Sequence, residues 1–162
     1  MAEITEEELE NLLKDFPSHK NYEKLNRKIY HHTRLANHCN KMNKFNYQDN
    51  EMKNLCKQIA WNLRNLSIIL YNEQPKVRCS YFNHWIYNEI RKLLVTESNF
   101  KTDESAVYKL LDLGYDMNGS LQKNKCYYDF YDNYDFDEWK EMKDLHDYFK
   151  NYTILKRKII SD

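Results

Sequence analysis

A chain of 162 residues with 25 basic and 25 acidic side chains has no formal net charge, which argues against a nucleic-acid-binding domain and bounds the chain to about one domain. Apolar residues make up 41%, enough for a core, so a fully disordered chain is excluded as well. There are two glycines and two prolines, where an average chain of this length holds roughly 11 and 8. Glycine-rich phosphate loops are therefore ruled out, turn residues are too few for sandwiches, barrels or Rossmann-like sheets, and long helices joined by polar loops remain.

The first helix opens at Thr5, which with Glu8 has the spacing of a capping box; Ile4 and Leu9 fit a hydrophobic staple. Leu9, Leu12, Leu13 and Phe16 form its apolar face, and Pro17 stops it. A second helix is predicted from Lys20 to His38 with Tyr22, Leu25, Ile29 and Leu35 as its buried stripe, and the polar stretch from Asn40 to Asn50 reads as a loop. The third helix is the strongest periodic segment. Met52, Leu55, Cys56, Ile59, Leu63, Leu66 and Leu70 recur at three- and four-residue steps, with Trp61, Ile68 and Ile69 widening the face.

Pro75 marks the next turn. The fourth helix carries Cys79, Phe82, Ile86, Ile90 and Leu93, flanked by Tyr81, Trp85 and Leu94. A fifth runs from about Asp103 with Ala106, Val107, Leu110, Leu111 and Leu113, and Gly114 is placed as its C-cap. A long Tyr- and Asp-rich loop follows from Asn118 to Asp135. The last helix begins near Asp135 and uses Phe136, Trp139, Met142, Leu145, Phe149 and Tyr152 as its apolar face. The fold expected is all-α, a bundle of about five to six helices without a significant sheet, in one domain over residues 1–162.

Chemistry-bearing residues are sparse. His31, His32, His38 and Cys39 cluster on the second helix, but no HExxH motif accompanies them, and a solvated helix end explains them better than a metal site. Cys79 and His84 lie five apart on one helix and point to different sides, so they cannot pair as nucleophile and base within it. Asp137 and Glu138 complement the dipole of the last helix without acid–base work. Neither a catalytic residue, a metal nor a cofactor is expected. Lys156, Arg157 and Lys158 form too short a basic cluster to imply nucleic acid. Asn65, Asn118 and Asn151 match the glycosylation sequon by coincidence in an Asn-rich chain. Tyr127, Tyr128, Tyr131 and Tyr134 lie off every core stripe, in the acidic loop, and are a candidate binding surface.

The N-terminal sequence is acidic and lacks the apolar core of a signal peptide, and no run approaches the 18 apolar residues of a membrane span. The four cysteines, Cys39, Cys56, Cys79 and Cys126, are an even number that permits two disulfides in any of three connectivities, while the missing signal peptide points to a reducing compartment and free thiols. On residues alone both states stay open.

The order of segments is more specific. Leu55–Leu63 is followed by Cys79-Ser80-Tyr81-Phe82-Asn83-His84-Trp85-Ile86-Tyr87, then by Cys126 at the acidic loop, then by Leu145-His146-Asp147-Tyr148-Phe149-Lys150-Asn151-Tyr152. From about Asp15 to Ile159 this resembles the PIR/Vir family of malaria-parasite variant antigens. The resemblance implies a non-enzymatic antigen domain for host-cell interaction and immune evasion, with a host cell-surface protein as partner. It further implies export to the infected red cell, with residence at its membrane or surface. Longer family members continue into a transmembrane helix, so the chain is expected to be the N-terminal part of a longer protein or a short member, membrane-attached only through a segment it does not contain. An intracellular helical scaffold or adaptor, cytosolic, is the alternative.

The resemblance also implies oxidised cysteines. The pairing expected is Cys39 with Cys56, at the facing ends of an antiparallel helix pair, and Cys79 with Cys126, which would pin the Tyr/Asp loop to the bundle. Trp61, Phe82, Trp85, Ile86 and Phe149 are the expected structural core.

Overall fold

The computed structural model describes residues 5–28, 33–44, 50–96, 104–126 and 136–161. Among them are six α-helices and one 3-10 helix, with no strand: α1 (Glu6–Leu13), α2 (Pro17–Asn26), the 3-10 helix (Arg34–Lys44), α3 (Asn50–Ile69), α4 (Pro75–Thr96), α5 (Glu104–Ser120) and α6 (Phe136–Ser161). The all-α reading holds.

The capping box at the start of α1 is formed. The Thr5 backbone N–H donates to Glu8 Oε2 at 2.9 Å, and the Glu8 N–H donates back to Thr5 Oγ1 at 3.3 Å. The staple pair, Ile4 and Leu9, falls outside the described side chains. Pro17 ends α1 and also begins α2, because the first helical position has no use for the missing N–H. Buried Phe16 sits at the junction, while Leu12 is exposed.

The expected helix from Lys20 to His38 is broken. α2 stops at Asn26 because its terminal carbonyls have partners in another helix: Leu25 O accepts from Gln58 Nε2 and from Asn62 Nδ2, both at 2.8 Å. Side chains of α3 thus do what a further turn would have done. The chain resumes as the 3-10 helix, which extends into the stretch read as a loop, because Leu35, Cys39 and Met42 are buried along it.

α3 and α4 run as the periodicity requires. α5 does not end at Gly114, which is buried within it. Leu113 and Met117 are fully buried on either side, and that packing carries the helix on to Ser120.

Apart from α1, the helices form two groups of three. The 3-10 helix, α3 and α5 pack on one another, as do α2, α4 and α6, and the groups meet chiefly where α3 lies along α4. Tyr81, Phe82, Trp85, Ile86 and Ile90 of α4, Ile59 and Leu63 of α3, and Leu70 just after α3 are the buried seam. Trp61 is only half-buried. Phe149, expected in the core, is 66% exposed, and Met142, Leu145 and Tyr152 are exposed with it. Trp139 of the expected face is buried against Tyr87, and beyond it α6 faces the bundle with its other side.

Two disulfides staple the helices. Cys39–Cys56 (Cα–Cα 5.8 Å) joins the 3-10 helix to α3 within one group, and Cys79–Cys126 (Cα–Cα 5.3 Å) joins α4 to the segment after α5, across the two. These are the expected pairs.

Candidate functional site

Three features other than the apolar core carry chemistry. The first is a polar cluster where α2, α4 and α6 meet. Asp147 is its centre: it accepts from Tyr22 Oη at 2.7 Å and from Lys143 Nζ at 2.7 Å, and His146 Nδ1 lies 3.2 Å away. The Lys143 ammonium also rests over the Tyr22 ring, 4.4 Å from its centroid. One turn on, Asn151 exchanges two hydrogen bonds with Ser18, donating to its hydroxyl and accepting from its backbone N–H. These contacts explain why α6 buries a polar face. The residues that face inward, Lys143, His146, Asp147 and Asn151, recur at helical spacing as regularly as the apolar ones.

Electrostatics fix the protonation states of this cluster. Burial alone would raise the Asp147 carboxyl, but hydrogen bonds from His146, Lys143 and Tyr22 outweigh it and hold the group below its ordinary value. Tyr22 is pushed far above the usual phenol range by burial and by Asp147, so it stays a neutral donor. His84, whose ring lies 4.7 Å from that of His146, is pushed down to about 4, first by burial and then by His146 and Lys143, with Asp147 opposing.

A stability effect follows from His84. Its neutral form belongs to the folded state, so the stabilisation is fully present above the unfolded value of about 6.5. It is lost as pH falls toward the folded value of about 4. Allowing for the partial exposure of the ring, moving from pH 7 to pH 4.5 should cost about 2 kcal/mol. Urea titrations at the two pH values should show this loss, and in His84→Gln the drop should shrink by that amount. An equal drop in both proteins would contradict the assignment.

The second feature is an open cleft of about 810 Å³ in the other helix group, lined by Arg34, His38 and Lys41 of the 3-10 helix, Arg64 of α3, Ser120 at the end of α5 and Leu121 and Gln122 after it. Lys41 makes a long ion pair with Asp116 at 3.8 Å. No run of basic residues announces this site in the sequence, because Arg34 and Lys41 stand at opposite parts of the 3-10 helix and Arg64 comes from α3.

The third feature is the root of the Tyr/Asp segment. Asn118 clamps the Cys126 backbone from both sides, donating to its carbonyl at 2.6 Å and accepting from its N–H at 2.8 Å. With the Cys79–Cys126 bridge, this fixes Cys126 to both α5 and α4. Tyr127, Tyr128, Tyr131 and Tyr134 themselves lie outside the described residues.

The remaining sequence candidates resolve simply. Cys39 and Cys79 are both in disulfides, so neither offers a thiolate. His31 and His32 lie outside the described residues, and among those residues no three His, Cys, Asp or Glu side chains converge as metal ligands. Asn118 and Asn151 use their side-chain amides for the contacts above, and Asn65 donates to Trp61 O at 2.9 Å. No helix among the described residues is long and apolar enough to cross a membrane.

Fold and features together define a disulfide-stapled, all-helical domain whose polar clusters serve packing and whose surface carries a basic cleft. A family model described as Plasmodium vivax Vir protein matches residues 16–162. The chain belongs to that Vir family. No match was found among curated proteins or among solved structures.

Proposed function

We propose that this protein is a variant antigen domain that acts without catalysis, in host-cell interaction and immune evasion, after export to the infected red cell. The observation that carries the reading is the pair of disulfides in a Vir-family chain. Bridges of this kind persist in oxidising surroundings and are rare where glutathione keeps thiols reduced. They favour display outside the parasite over an intracellular scaffold. A helical frame stapled at two points also suits a surface that varies, because substitutions on outward faces leave the seam between α3 and α4 untouched. A host cell-surface protein is the partner class, and the basic cleft and the segment beyond Cys126 are the surfaces offered to it.

Two measurements test this. Antibody to the folded domain should stain infected red cells outside the parasite boundary, and a screen against host-cell surface proteins should return a saturable binder. Protein found only in the parasite cytosol, with all four thiols reduced, would overturn the reading.

A further inference from the structure

The outward face of α6 is the largest feature left without a role. Leu145, Phe149 and Tyr152 are 57%, 66% and 48% exposed, and Ile159 is 75% exposed at the same spacing. Tyr148 lies against both Phe149 and Tyr152, with ring centroids 5.7 and 6.1 Å apart, so the aromatics form one continuous exposed strip. An apolar face of this extent on the surface of a folded domain marks a contact site.

The charges on the strip say what covers it. Glu138 and Glu141 lie at its N-terminal end and Lys156 at its C-terminal end, all exposed. From Tyr148 to Ser161 the helix has four basic residues and no acidic one. A second α6 laid antiparallel brings each acidic end over a basic end. A two-fold axis between Tyr148 and Phe149 places Leu145 against Tyr152 of the second copy and Glu141 against its Lys156. A parallel arrangement would stack like charges on like and is disfavoured. The helix dipoles also oppose in the antiparallel pair. The strip from Met142 to Ile160 runs about 27 Å, and two such faces can bury on the order of 1,000 Å², the lower bound of a specific interface.

We propose that this chain forms a two-fold symmetric dimer through an antiparallel α6–α6 contact. The interface is isologous, so each copy contributes the same patch. It uses none of the residues that line the basic cleft.

Sedimentation at about 100 μM should give twice the 20.0 kDa chain mass. Leu145→Glu with Phe149→Glu should weaken association by about 100-fold or more without lowering the melting temperature read at a dilution where the parent is itself monomeric, since both side chains are exposed in the single chain. Glu141→Lys and Lys156→Glu should each weaken it, and the two together should restore it. A monomer at that concentration would overturn the proposal, as would a dimer indifferent to the two glutamates or a charge exchange without rescue.

Discussion

Replacing Cys79 and Cys126 together by alanine should destabilise the protein by about 4 kcal/mol. Their bridge closes a sequence separation of 47 residues, and the chain-entropy account of cross-links converts a loop of that length to about 4 kcal/mol. The shorter Cys39–Cys56 loop, with a separation of 17, is worth about 3 kcal/mol on the same account. A domain with a typical stability of about 5–15 kcal/mol loses a large share with either. The longer bridge should matter beyond its entropy, because Cys126 is also where Asn118 holds the chain. Without the bridge that two-sided clamp must hold the end of the segment alone. Urea unfolding of the double variant against the parent measures the loss. A change below about 1 kcal/mol would show that the unfolded chain is already compact around these positions.

Trp85→Ala should cost about 3–5 kcal/mol. Its ring is 1% exposed and stacks on Phe82 with centroids 5.9 Å apart. Its Nε1–H donates to Asn26 Oδ1 at 2.8 Å, at the last residue of α2. Truncation therefore opens a cavity on α4 and leaves the end of α2 without a contact that holds it to the bundle. Trp85→Phe should recover most of the packing and lose only the hydrogen bond, at about 1–2 kcal/mol. The ordering parent, phenylalanine, alanine in chemical denaturation checks both terms, and a loss below about 1 kcal/mol for alanine would place the ring's contribution elsewhere.

What could be read in advance depended on how local the cause was. α3 and α4 were legible because their apolar residues recur over many turns and no competing partner intervenes. The capping box was legible because both of its groups lie three residues apart. The end of α2 was not, since Gln58 and Asn62, more than thirty residues away, supply the donors that stop it. Nor could Gly114 reveal that it is internal, because a glycine after a run of leucines looks the same whether or not buried Met117 follows on the same helix. α6 is the sharpest case. It carries an apolar and a polar stripe of equal period, and hydrophobicity alone selects the first. Hydrogen bonds from Tyr22 and Lys143 to Asp147, and between Asn151 and Ser18, select the second. The cations of the cleft were illegible for the same reason, since Arg34 and Arg64 are neighbours only after the 3-10 helix has docked on α3.

The two bridges also decide what a protease can remove. Lys123 and Lys125 are exposed between α5 and Cys126, where a trypsin-like enzyme would find them. A cut after either falls inside the loop closed by Cys79 and Cys126, so it nicks the chain without releasing a fragment. A cut after Lys41 falls inside the Cys39–Cys56 loop with the same result. The chain would run whole on a non-reducing gel and split once thiol is added. One break in each loop thus leaves every piece of the backbone on one covalent frame.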